Sequence, residues 1–219
     1  IYSKNHSLPY ITGKIASSKN YHILKNNFHI TNKHSRKVSH LLRYRNQAIL
    51  TTYKTINSDN SKLTCRINGL NEYSPIRLII DKNLRINEKT YIFNNAKKPK
   101  TIIFHNSKNN FKIRKLKNKG FRLINMNLEK NNYFDLNKLF KKIYQLGIYS
   151  VLVESGKMLI YNMIAKNLFN EFYFFKSNKE LNSKNKVCIL SIKNNLNKKF
   201  KKKYFVNTYL DKDNLIHYS

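Results

Sequence analysis

Residues 135–156 read Asp135-Leu-Asn-Lys-Leu-Phe-Lys-Lys-Ile-Tyr-Gln-Leu-Gly147-Ile-Tyr-Ser-Val151-Leu-Val-Glu154-Ser155-Gly156. Leu136, Leu139, Phe140 and Ile143 fall at helical spacing, Asp135 can cap the helix start and Gly147 can end it. An apolar strand, Ile148 to Val153, follows at once and closes on Glu154. A further helix, Met158 to Asn167, comes next with Leu159, Met163 and Ile164 turned inward. In open α/β sheets ligands sit beyond the carboxyl ends of the strands, where free N–H groups at a helix start can hold a phosphate. The turn at Glu154-Ser155-Gly156 is therefore a candidate site. Taken alone it also reads as a plain strand-to-helix turn with an exposed glutamate.

Outward from this unit, short apolar runs recur at Tyr10–Ile11, Ala48–Leu50, Ile76–Ile80, Thr101–Phe104, Phe121–Ile124 and Glu171–Phe175. Ile, Val, Phe and Tyr dominate them, as in buried strands. Ser35 to Arg45 predicts a helix with Val38, Leu41 and Leu42 on one face. Strands alternating with helices predict an α/β fold, a mostly parallel central sheet with helices on both faces, and one domain over residues 1–219. Lys108–Lys119 and Asn178–Lys203, rich in Lys and Asn, are expected to be loops and edge strands on a solvated surface.

Composition bounds the partners. The 219 residues carry 43 Lys and Arg against 11 Asp and Glu, a net charge of +32. That balance suits a polyanion or an anionic substrate. Lys, Asn, Ile, Tyr and Phe are all abundant together while Gly, Pro and Trp are scarce, which is the mark of a chain-wide bias that adds lysine everywhere. The Lys-rich segments lack aromatic residues at stacking intervals and any RNA-binding signature, so nucleic acid is the weaker expectation. Cys65 and Cys188 stand far apart with no metal-ligand spacing, so neither a zinc site nor a disulfide framework is expected, and a reducing cytoplasm fits. No apolar run is long enough to cross a bilayer, and no membrane partner is expected.

Several polar residues interrupt apolar surroundings. Lys14 lies in Pro9-Tyr-Ile-Thr-Gly13-Lys14-Ile-Ala16-Ser-Ser, a strand that carries one cation. Arg36 and Arg43 lie on the Ser35 helix, and Thr55, Asp59, Leu63, Thr64 and Arg66 lie in a loop after the Ala48 strand. Arginines so placed can grip a phosphate bidentately. Each of these residues, read singly, is equally a surface group.

In order along the chain the blocks are Pro9-Tyr-Ile-x-x-Lys14-x-Ala16-x-Ser, Ile30-Thr31 with Ser35-Arg36, and His40-x-Leu42-Arg43 with Ala48-Ile-Leu50. There follow Thr55-x-x-x-Asp59-x-x-x-Leu63-Thr64-x-Arg66, Pro75-Ile-Arg77-Leu-Ile-Ile-Asp81 with Leu84-Arg85, and Gly147-Ile-x-Ser-Val151-Leu-Val-Glu154-x-Gly156. Together they resemble the reductase domain of the bifunctional riboflavin biosynthesis protein, over roughly Pro9 to Phe175. The resemblance implies a dihydrofolate-reductase-like fold, usually dimeric. It also implies NADPH-dependent reduction of the ribosyl group of 5-amino-6-(5-phosphoribosylamino)uracil to a ribityl chain, with no metal. Carried over by position, Arg43, Leu63, Arg66 and Glu154 contact this phosphorylated pyrimidine. Ala16, Thr55, Asp59, Gly156, Lys157, Met158 and Leu159 contact NADPH. Lys14 and Glu154 are the catalytic pair, with Lys14 held by Glu154 beside the sugar and Arg43 and Arg66 on the phosphate.

The chain departs from the family pattern at Asn20-Tyr21, where the family has Asp-Gly, and at His29, Ser61, Lys82 and Ser155. A turn needing positive φ is expected to resist Tyr21, and the short loop 19–28 is not expected to hold the cofactor. The zinc signature of the family's deaminase domain is absent, so either such a domain precedes Ile1 in a longer chain or the reductase stands alone. The alternative reading is a basic RNA-binding protein, or an inactive one, on a reductase-like fold.

Overall fold

The computed structural model describes residues 2–24, 29–182, 186–206 and 210–219. Along them run α1 (Tyr2–His6), β1 (Tyr10–Ser17), β2 (His22–Leu24), α2 (Lys33–Arg45), β3 (Ala48–Thr52), α3 (Tyr53–Asp59), β4 (Ile76–Ile80) and α4 (Tyr91–Asn94). Next come β5 (Thr101–His105), α5 (Asn110–Asn118), β6 (Arg122–Asn125), α6 (Leu136–Gln145), β7 (Ser150–Glu154) and α7 (Lys157–Ala165). The chain continues through β8 (Glu171–Lys176), β9 (Lys186–Cys188), α8 (Leu190–Lys199), β10 (Lys203–Phe205) and β11 (Asn214–Tyr218).

One sheet of nine strands has the order β10-β11-β8-β1-β7-β3-β4-β5-β6. From β8 to β6 every pairing is parallel, and β11 and β10 extend the β8 edge antiparallel. The small ribbon β2–β9 stands apart from it. The central strands are buried on both faces, which is why they read as continuous apolar runs rather than alternating ones. Side chains from α6, α7 and α8 cover one face, including Leu139, Phe140, Ile143, Ile160, Met163, Ile192 and Leu196. Leu42, Ile56, Ile92, Phe93 and Leu116, from α2 to α5, cover the other. This is the expected α/β architecture with a mostly parallel sheet and helices on both faces.

Local signals placed several boundaries well. Asp135 accepts from the N–H groups of Asn137 and Lys138, and Gly147 follows α6 with φ 79°. Helix α2 starts two residues before the expected Ser35 and is capped by Asn32. Four expectations are corrected. Residues 110–118 form α5 and residues 190–199 form α8, because a single buried row (Leu116; Ile192 and Leu196) suffices to dock a helix whose other faces are Lys and Asn. Thr55 and Asp59 lie on a helix, α3, rather than in a loop. Leu42 is buried and Val38 packs against the core as expected, but Leu41 is exposed, and Ser35, Ser39 and His40 complete the buried face of α2. On α7, Leu159 is only partly buried and Ile160 takes the core position.

The Asn20-Tyr21 turn forms after all. Tyr21 adopts φ 57°, a conformation that costs an L-residue roughly 1–2 kcal/mol. The expected short loop 19–28 falls partly on residues 25–28, outside the described residues.

Candidate functional site

Strands β1 and β7 are neighbours in parallel register, with Lys14 opposite Glu154. The alternation of β1 sends Ile11, Gly13 and Ile15 to the α6–α8 face, so Lys14 points to the face that α2 covers. Glu154 points the same way, one step beyond Val153 on the opposite side. Glu154 is the last residue of β7, and Lys14 lies opposite it in the middle of the longer β1. Arg43, in the last turn of α2, reaches Glu154 from the helix side.

Glu154 is gripped bidentately: Arg43 Nε donates to Oε1 at 2.8 Å and Nη2 to Oε2 at 3.0 Å. Lys14 Nζ lies 3.7 Å from Oε2. The three side chains are 13–15% exposed. Burial by itself raises the carboxyl pKa of Glu154, but the Arg43 and Lys14 charges and the Arg43 hydrogen bonds outweigh it and hold the group at about 2. Lys14 is lowered, chiefly by burial and further by Arg43, with Glu154 opposing. Arg43 Nη1 also donates to the Thr64 carbonyl at 3.1 Å. Three of the five guanidinium N–H groups are thereby engaged and two remain. The expected Lys14–Glu154 contact is present, but Arg43 is the closer partner.

Around this triad lies a second layer of positive charge. His40 Nδ1 sits 3.1 Å from the Thr64 carbonyl and 3.2 Å from the Arg66 N–H, donating to the first in one tautomer and accepting from the second in the other. Burial, then Arg43 and Arg66, push His40 down to about 4. His29 is likewise lowered by burial, Arg36, Arg66 and Lys14. Arg66 is exposed and forms no ion pair among the described residues. Two imidazoles whose pKa values are lowered by burial and then by neighbouring guanidinium groups mark a pocket end that disfavours further cations and favours an anion. Leu63, which leads into this loop, is buried at φ 54°. For a bulky residue that is a true outlier, of the kind found where the surroundings hold a functional loop in place.

The other end of the site is the turn after β7. Gly156 occupies the N-cap of α7 at φ −69°, and no side chain caps the helix, so its leading N–H groups have no side-chain acceptor. A Cβ built on Gly156 would meet nothing nearer than Thr55 Oγ1 at 4.0 Å. Ser155 Oγ lies 3.5 Å from Thr55 Oγ1, which ties α3 to this turn. Ser155 is not among the residues with positive φ, so replacing the family glycine introduces no backbone strain there. Asp59 is half-buried with a carboxyl raised by burial, against a lowering Ser58 hydrogen bond, and forms no ion pair among the described residues.

All these residues border one cleft of about 1650 Å³ at the carboxyl ends of the strands. Lys14, Ala16, Arg43, Thr55, Asp59, Leu63, Arg66, Glu154, Gly156, Lys157, Met158 and Leu159, scattered in sequence, all line it. The sequence motifs assign no role to His40 or Arg85, although both stand in them, or to Lys82, Glu129 and Asn132, and all five line the cleft. Cys65 and Cys188 are both free thiols. Among the described residues no cluster of three or more His, Cys, Asp or Glu could hold a metal, and no helix is long and apolar enough to cross a membrane.

Known proteins share this fold. The riboflavin biosynthesis protein RibD of Aquifex aeolicus is 31% identical over 146 residues, covering 67% of this chain and 39% of that protein. The chain thus spans well under half the length of this curated relative. The solved RibD of Acinetobacter baumannii, form 2, superposes with a TM-score of 0.77 at 18% identity, covering 99% of this chain and 59% of the other. The Saccharomyces cerevisiae riboflavin biosynthesis reductase Rib7 gives 0.73 at 16% identity, covering 98% and 90%. The family described as the RibD C-terminal domain matches residues 13–181, most of the sheet and the whole Lys14–Arg43–Glu154 triad, and the chain belongs to that family.

Proposed function

We propose that the chain uses NADPH to reduce the ribosyl group of 5-amino-6-(5-phosphoribosylamino)uracil to the ribityl product, the reduction step of riboflavin biosynthesis. The observation that carries this reading is the Lys14–Glu154–Arg43 triad, set midway between an arginine-rich end and an uncapped helix start in one cleft. NADPH, when bound, would supply the hydride. Its fit is supported by the open space at Gly156 and the free N–H groups of Lys157, Met158 and Leu159, which suit a diphosphate. Ala16 and Thr55 border the same space, and Asp59, an acceptor when ionised, suits a hydroxyl or carboxamide rather than a phosphate.

Reduction at C1′ breaks the C1′–O4′ bond, and O4′ then takes a proton. Lys14 is the donor. Burial lowers its pKa and so readies it to release a proton, while Glu154 favours the charged form until transfer. Glu154 also orients Lys14 and Arg43. Arg66 and the two spare N–H groups of Arg43 hold the substrate phosphate, and Leu63 presents the loop that carries Arg66. A single reductase domain, a homodimer by family resemblance, and a cytoplasmic location by the free cysteines belong to the same proposal.

The test is direct. Purified protein should oxidise NADPH only when the phosphoribosylamino-uracil is supplied, and Glu154→Ala should lower kcat/KM at least about a hundredfold. NADPH consumption without substrate, or indifference to the substitution, sinks the assignment.

A further inference from the structure

We propose that Tyr21, Lys176 and Lys193 form a clamp that positions the β2–β9 wall of the cleft, and with it the width of the cleft open to the cofactor beside Ala16. The cofactor part rests on the reading above; the clamp itself does not.

Tyr21 stands where the chain leaves β1 for β2, in a left-handed conformation that a tyrosine keeps only when its surroundings hold it. Its N–H donates to the Ser18 carbonyl at 3.1 Å, and its own carbonyl accepts from the Ile189 N–H at 2.8 Å, just past β9. The ring packs on the core beside Phe174, centroids 6.4 Å apart. Two ammonium groups close on it from separate elements: Lys176 at the end of β8 and Lys193 on α8, each 4.6 Å from the ring centroid. Lys193 Nζ also donates to the phenol oxygen at 2.6 Å, which places it at the rim of the ring. Neither lysine forms an ion pair with a carboxylate among the described residues, so the tyrosine is the partner that anchors both.

The connection to the cleft is short. Two residues after Tyr21, Ile23 pairs directly with Val187 across the β2–β9 ribbon, and both line the cleft. Ala16, shortly before the turn, lines it as well. β2 and β9 run antiparallel with His22 opposite Cys188, so Tyr21 and Ile189 meet at the same end of the ribbon, and the Ile189 N–H to Tyr21 carbonyl bond closes that end where β2 leaves the β1 turn. A glycine at position 21 allows the same backbone but fixes nothing. The tyrosine and two lysines convert a permissive turn into a fixed one. Lys193 lies beyond residues 13–181, so the clamp draws on chain outside the family match.

Amide hydrogen exchange on the full chain separates the clamp from catalysis. In Tyr21→Gly, and in the double variant Lys176→Met with Lys193→Met, amides of residues 22–24 and 186–189 should exchange about tenfold faster while those of β3, β4, β5 and β7 stay unchanged. KM for NADPH should rise about fivefold with kcat within about twofold. Tyr21→Phe keeps the ring, loses the phenol oxygen and should fall between wild type and Tyr21→Gly. Unchanged exchange in both strands of the ribbon in both variants overturns the clamp. Faster exchange with unchanged KM for NADPH overturns its role in setting the width open to the cofactor. Should the wild type consume no NADPH, the proposed activity fails, and the exchange measurements still decide the clamp. If Tyr21→Gly loosens the whole sheet, exchange in the lysine double variant decides between the two outcomes.

Discussion

At the scale of single residues, the site concentrates opposed charges with low exposure, and acid should reveal them in sequence. His40 is held at about 4 in the fold against 6.5 when free, so the unfolded chain binds more protons between those values. Stability tied to His40 is intact above about pH 6.5 and declines as pH falls toward 4. Glu154 is held at about 2 against 4.5, so its contribution is intact above about 4.5 and declines as pH falls toward 2. That second loss is of the order of 3 kcal/mol. Denaturant melts across pH 3–8 should show both declines, and His40→Asn, which keeps a polar atom near Nδ1, should remove only the first. A melt of that variant that declines from pH 6.5 to 4 as steeply as wild type would refute the assignment. The sequence named Lys14, Arg43 and Glu154, but the bidentate Arg43–Glu154 pair was not legible because its members lie 111 residues apart. Nor was the strain at Leu63, since nothing about a leucine announces a left-handed backbone.

At the scale of elements, the informative feature is what α7 lacks. Asp135, Asn32, Thr52, Thr90 and Asn109 cap helices through their side chains, whereas α7 starts on Gly156 and α8 on Ile189 without such a cap, and of these two starts that of α7 lines the cleft. Gly156→Asp should fit, since the nearest atom to the new Cβ is 4.0 Å away, and should stabilise the helix by a few tenths of a kcal/mol. The same carboxylate would occupy the N–H groups assigned to the cofactor and repel its phosphates. KM for NADPH should rise about tenfold while the melting temperature does not fall. A drop in stability with unchanged KM would overturn this account of the turn. Glycine has a different purpose in β1, where a Cβ on Gly13 would collide with the Phe172 ring, itself edge-on to Phe169. Strands β1 and β3 to β8 were readable as continuous apolar runs and α2, α6 and α7 by their helical period, whereas the short β2 and the C-terminal β11 were not predicted. Helices α5 and α8 were not either, because one buried row leaves the other faces free to fill with Lys and Asn.

At the scale of the whole molecule, a net charge of +32 acts against the fold and for its anionic ligands. Raising salt from about 0.05 to about 0.5 M should screen both. The melting temperature should rise as self-repulsion weakens, while KM values for NADPH and the phosphorylated substrate rise as attraction to the cleft weakens. A melting temperature that falls with salt would mean that favourable ion pairs outweigh the repulsion.

The sequence by itself determined the alternation of strands and helices, the parallel sheet and twelve of the residues that line the cleft, because each rests on local periodicity or on ordered motifs. The tertiary structure alone decided which partner holds Glu154, how a tyrosine occupies a glycine's turn, and where the Lys-rich C-terminal segment packs. Those outcomes depend on contacts between residues far apart in the chain, and such contacts leave no period in the sequence.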